Sequence, residues 1–182
     1  MIKMKLFDEI PHLENDRIIL GRISLEDGEA IREMVGNDNV YRYLPTFLFE
    51  RQYEDTEKMI KELYEGIYLN KESLILGIYL KEAGGLCGLA EYYGYRDEIH
   101  KVSVGYRLLE RYWGHHIASS ALSVMIDYLY TKTDIEIITA STMVENRASA
   151  RVLKKNGFDK VVSGAYEDWG YDAPTLTDKW IR

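Results

Sequence analysis

Apolar residues along this chain fall into two rhythms, one of about two residues and one of about three and a half. Residues 17–23 (Arg-Ile-Ile-Leu-Gly-Arg-Ile) are the first strand-like run. Ser24 with Asp27 three positions on is a capping pair. Leu25, Ala30, Ile31 and Met34 then lie on one helical face as far as about Val35. Residues 37–39 (Asn-Asp-Asn) break that pattern, and 40–53, aromatic-rich with Pro45, read as irregular. A second helix is predicted over 54–69, with Met59, Ile60, Leu63 and Ile67 on one side. Strands follow at 74–80 and 86–95 around a Gly84-Gly85 turn, then at 99–108. A third helix is expected at 115–131, a strand at 135–140, and a fourth helix at 146–156 closed by Gly157. Strands at 158–162 and 176–181 complete the pattern.

The sequence therefore predicts a single α+β domain over residues 1–182. A mixed central sheet of about seven strands is flanked by about four helices, without repeats or a linker.

Composition narrows the function classes. Of 182 residues, 46% are hydrophobic and 29% charged, enough apolar material for one packed core. The net charge of −7 leaves no basic excess to displace counterions, which argues against nucleic acid and is compatible with a cationic amine as acceptor. The single cysteine, Cys87, lies in an apolar run and reads as a core residue. No stretch is long and apolar enough for a membrane helix, and residues 1–9 are too polar for a signal peptide, so a cytoplasmic location is expected. A homodimer is the default oligomeric expectation.

The chemistry concentrates after the 99–108 strand. Arg111, Trp113, Gly114, His115, His116, Ile117, Ala118 and Ser119 form a basic residue, a glycine turn and a helix start. First-turn N–H groups have no intrahelical partner, and the helix dipole adds positive character, so such a turn cradles phosphate. Other readings fail. His115 and His116 diverge by about 100° on a helix, and no metal-ligand spacing is present, so no metal is expected. Gly84, Gly85 and Gly88 sit at a hairpin and lack the Lys-Ser/Thr of a nucleotide loop.

Two motifs together resemble the GCN5-related N-acetyltransferase (GNAT) superfamily. The first is Val104-Gly105-Tyr106-Arg107 followed by Arg111, Gly114, His116, Ile117 and Ala118. The second is Asn146, Ser149, Val152, Leu153, Lys155, Gly157 and Phe158. The chain looks most like the branch of RimJ/RimL-like ribosomal-protein N-terminal acetyltransferases. The resemblance implies transfer of an acetyl group from acetyl-CoA to a primary amine, of a small molecule or a protein N-terminus. It implies a pyrophosphate at the 115–131 helix start, with Arg111 supplying charge. It also implies a pantetheine arm along Val104, Tyr106 and Leu108, with Asn146 bonding that arm or capping its own helix. His116 departs from the family pattern, which has Gly or Ala there, and either contacts the pyrophosphate or sits at the surface. Leu153 departs too, standing where many members place a tyrosine acid.

In the resembled branch a serine three residues after the asparagine protonates the leaving thiolate, and Ser149 matches it. For the base, Glu167 matches that branch, acting through water. His100 and Glu91 are the alternatives, each suited to proton transfer if it faces the cleft. The competing reading is a non-catalytic acyl-CoA-binding or sensing module on the same fold, kept open by Leu153 and His116.

Overall fold

Gly84 and Gly85, both at positive φ (64° and 79°), reverse the chain between β3 (Ser73–Leu80) and β4 (Leu86–Arg96). Glycine takes that backbone region without the Cβ penalty other residues meet. The two strands pair antiparallel, with Leu76 opposite Ala90. This hairpin is the centre of one eight-stranded sheet. Its other strands are β1 (Leu13–Glu14), β2 (Ile18–Gly21), β5 (Lys101–Leu108), β6 (Ile137–Met143), β7 (Asp159–Glu167) and β8 (Thr175–Ile181). The spatial order is β1-β2-β3-β4-β5-β6-β8-β7, and all pairs are antiparallel except β5 with β6. The computed structural model describes residues 3–182; Met1 and Ile2, where the polar leading segment begins, lie outside the described residues.

Among the described residues five α-helices accompany the sheet: α1 (Gly28–Val35), α2 (Asp38–Tyr41), α3 (Thr56–Glu62), α4 (Ile117–Lys132) and α5 (Arg147–Lys155). This is the expected α+β class with a mixed sheet. The added strand and helix are β1, two residues long, and α2, a single turn started by Asn37, whose side chain accepts from the Asn39 N–H. After α3 the chain continues as a π-helical stretch, Leu63–Tyr68.

Alternation along the strands splits the core between two faces. Leu74, Leu76, Ile78, Ala90 and Tyr92 join Ala121, Leu122, Met125 and Leu129 of α4. On the opposite face Ile75, Leu86 and Leu89 pack with Ile31, Met34, Met59 and Ile60 of α1 and α3. Full burial of each Leu, Ile or Met side chain among them contributes about 1.5–3 kcal/mol. Cys87 belongs to the first cluster; burial pushes its thiol up to about 11, and it donates to the Ile78 carbonyl. Among the described residues no helix is long and apolar enough to cross a membrane.

Candidate active site

The site begins where two strands part. β5 and β6 are paired only over Lys101–Ile137, Val102–Ile138 and Ser103–Thr139. The hydroxyls of Ser103 and Thr139 meet at 2.8 Å in the crotch of the fork. Beyond it β5 stays with β4 as far as Leu108, while β6 follows β8 from Thr139 to Met143. A wedge opens between them, and two cavities run into it. One, of about 530 Å³, is lined by Leu108, the glycine turn and the facing ends of α4 and α5. The other, of about 750 Å³, reaches under residues 43–52 and 167–169. Tyr106, Arg107, Asn146 and Ser149 line both, so the cavities meet at these side chains.

The smaller cavity carries the anion-binding features. Glu110–Tyr112 form a 3₁₀ turn, and the Trp113 indole donates to the Leu108 carbonyl at 3.0 Å. Gly114 has φ +80°, and a Cβ there would meet nothing within 4 Å, so a side chain would project into open space beside the cavity that Gly114 lines. The α4 N-terminus has no side-chain cap, and Ile117, Ala118 and Ser119 line the groove at its first turn. The helix starts two residues later than its apolar pattern suggested, because His116 is left-handed (φ +62°, ψ 12°). That geometry explains glycine in the family pattern: the position has positive φ, which a His side chain tolerates at a cost of about 1–2 kcal/mol. His116 lines the groove.

Arg111 and His115 stand elsewhere. Arg111 pairs with Glu33 of α1 and lies over the Tyr112 ring, outside the lining of either cavity. His115 is exposed, and its carbonyl accepts from Arg17 at 3.1 Å. Two cations absent from the sequence-based assignment, Arg151 and Lys155, do line the groove. Their i, i+4 spacing on the helix after Asn146 was the available signal. An uncapped helix start, a glycine with open space and two flanking cations fit a pyrophosphate.

Asn146 caps α5: its side chain accepts from the Ser149 N–H at 3.1 Å. Asn146→Ala is expected to lower stability by about 1 kcal/mol, read as an earlier urea midpoint. The Tyr106 hydroxyl is buried and has no well-aligned hydrogen-bond partner. Burial pushes this phenol up to about 12, offset in part by the nearby Ser149 side chain. Val104 lines the larger cavity from β5, and Leu108 the smaller.

The proposed bases are placed very differently. Glu91 lines the larger cavity, with Ser73 donating to one oxygen at 2.9 Å and Arg107 to the other at 2.9 Å. Arg107 also grips Glu50, donating from Nη2 at 2.7 Å, and Tyr41 donates to Glu50 at 2.8 Å. Burial works against the Arg107 charge, but Glu50 and Glu91 outweigh it and hold the guanidinium above its ordinary value.

Glu167 ends β7, which runs five residues past the strand predicted at 158–162. It lines the larger cavity, contacts Lys179, and accepts from Thr177 at 2.9 Å and the Trp169 indole at 3.0 Å. Burial opposes its charge, yet Lys179, Thr177 and Trp169 together hold its carboxyl below the usual range.

His100 is not on the strand. It forms a left-handed turn (φ +48°) before β5 and faces Asp134 at 3.2 Å, outside both cavities. Asp97, His100 and Asp134 converge, but the Lys5 ammonium lies 2.6 Å from both carboxylates and offsets one of their two charges.

Residues 42–53 roof the larger cavity. Thr46 N–H donates to the Trp169 carbonyl at 2.9 Å, and the Tyr171 hydroxyl donates to the Leu44 carbonyl at 2.7 Å. Tyr43, Phe47, Phe49 and Trp169 line the cavity, whereas Tyr166 is exposed.

Comparison with known proteins agrees with this geometry. The profile of the acetyltransferase (GNAT) domain matches residues 17–159. YoaA of Bacillus subtilis, an uncharacterized N-acetyltransferase, is 30% identical over 168 residues, 92% of this chain and 93% of that protein. The chain therefore belongs to the GNAT acetyltransferase family and is an N-acetyltransferase. Solved structures share the fold. RimL, a ribosomal L7/L12 α-N-protein acetyltransferase in complex with coenzyme A, superposes with a TM-score of 0.79 at 15% identity, over 94% of this chain and 97% of that one. Spermidine N-acetyltransferase from Vibrio cholerae, in complex with CoA and spermine, gives 0.75 at 18%, over 92% and 96%.

Proposed function

We propose that this enzyme transfers the acetyl group of acetyl-CoA to a primary amine, of a small molecule or a protein N-terminus, by direct attack within a ternary complex. The observation that carries this is the meeting of two cavities at Tyr106, Asn146 and Ser149, one built for a phosphate and one lined by aromatics and carboxylates. The α4 N-terminus, Arg151 and Lys155 hold the pyrophosphate, and the open side of β5 from Val104 to Leu108 supports the pantetheine arm. When bound, acetyl-CoA supplies the activated acyl carbon. Aromatic rings with Glu91 and Glu167 suit a cation and orient its nitrogen.

Glu167 takes a proton from the ammonium through water, and the Ser149 hydroxyl relays one from solvent to the sulfur. The nitrogen bonds to the acyl carbon, and the C–S bond breaks with its electron pair on sulfur. Of the two protons the ammonium loses, one is balanced on sulfur and one enters solvent. Both carboxylates are engaged, Glu167 by Lys179, Thr177 and Trp169 and Glu91 by Ser73 and Arg107, so the choice of Glu167 rests on its match to the resembled branch. A cytoplasmic setting supplies both substrates.

Thiol release from acetyl-CoA over a panel of amines and N-terminal peptides tests the reading. An amine-dependent rate supports it; tight cofactor binding with no amine stimulation refutes it. The base has its own check. Because Lys179 helps hold Glu167 ionised, Lys179→Met is expected to raise the Glu167 pKa, followed by carbon-detected NMR titration. With Glu167 as base, the acid limb of kcat moves up with it; a limb that stays put excludes Glu167.

A further inference from the structure

The Tyr106 hydroxyl stands out among the polar groups of the site. It is buried where the two cavities join, and its neighbour the Ser149 side chain is in reach but makes a hydrogen bond too poorly aligned to satisfy it. Buried hydroxyls in native proteins are nearly always paired, because an unpaired one loses water without recovering a bond. A residue kept in that condition at a reaction junction has a partner that arrives from outside the chain.

Resting on the acetyl-transfer reading above, we propose that Tyr106 is a catalytic residue whose hydroxyl donates a hydrogen bond to the CoA sulfur as the C–S bond breaks. The fork supports sulfur over the carbonyl oxygen. Past Ser103 the β6-facing backbone of β5 is free of strand partners, so main-chain N–H groups are at hand for oxygen acceptors of the arm. The sulfur has no such row. It needs a side-chain donor at the junction, beside Ser149, and Tyr106 lies there.

Tyr106 keeps its proton throughout. Its phenol, at about 12, sits well above a thiol near 8.5, so it stabilises the thiolate as a donor while the Ser149 relay completes protonation. No oxidant, reductant or metal enters the step.

The decisive measurement needs no acetyl acceptor. The thiolate absorbance of bound CoA is followed against pH in wild type and in Tyr106→Phe. A donor to sulfur lowers the thiol pKa in the wild-type complex, and the variant raises it by about one unit. The variant is expected to bind CoA within about threefold of wild type, because the phosphate grip is untouched. It should unfold at most slightly earlier, since only the poorly aligned contact with the Ser149 side chain is lost. Its kcat is expected to fall about tenfold to a hundredfold.

A wild-type complex in which the thiol titrates as it does free in solution overturns the proposal without any variant. Equal thiol values in wild type and variant also overturn it, even if kcat drops, because the donor then serves the carbonyl oxygen. If no amine stimulates CoA release, the acetyl-transfer reading fails, but the thiol titration still decides the role of Tyr106.

Discussion

Arg107→Met is expected to destabilise the protein by about 3–5 kcal/mol, measured as a loss of unfolding free energy in urea. Arg107 is nearly sealed from solvent and bridges Glu50, also sealed, and Glu91. Removing the guanidinium leaves two carboxylates in low dielectric with only Tyr41 and Ser73 as donors. Breaking such a network from one side is costly, although the intact network need not add much over an apolar packing. The sign with pH follows. Orphaned carboxylates gain by protonation, so the deficit of the variant should shrink as pH falls. A change under about 1 kcal/mol would show that water reaches and satisfies the two acids. Activity is expected to suffer as well, because Glu50 belongs to the segment that roofs the larger cavity and Arg107 lines both.

The second large effect is on cofactor affinity. Gly114→Val is expected to weaken acetyl-CoA binding by about a hundredfold or more, about 3 kcal/mol, by isothermal titration. Two causes add. A β-branched residue at φ +80° is strained, and its side chain fills the open space beside the α4 N-terminus. A Cβ at this position meets no protein atom within 4 Å, so the variant is expected to fold. A folded Gly114→Val protein with unchanged affinity would dismiss the phosphate cradle.

The elements legible in the sequence are those long enough to show a period. β3, β4 and α4 repeat their apolar spacing several times, and Gly84-Gly85 punctuates them. β1 and α2 escape because two residues and one turn carry no period. The start of β5 was placed two residues early: Ile99 and His100 look strand-like, but a turn with His100 left-handed leads into the strand. β7 was cut short because its outer residues are exposed and lack the alternation that marks a half-buried strand.

At the site, local motifs pointed to Gly114, Asn146 and Ser149, which line the cavities together. Contacts across long stretches of chain were not readable. Arg111 carries the expected charge, but its partner Glu33 lies 78 residues away on another helix. Tyr106 is similar. It has the same parity on β5 as the core residues Val102 and Val104, and only the fork turns that side of the strand from core to cleft.

The fork also bears on self-association. A strand edge with free N–H and C=O groups is a template for adding another chain, and proteins commonly guard such edges with charge or cover. Here a stretch of edge five residues long, Val104–Leu108, lies inside the sheet, with β6 and α5 standing across the opening. The proposed pantetheine arm thus finds its strand-pairing surface inside the sheet, flanked by β6 and α5, rather than at an outer edge open to neighbouring copies.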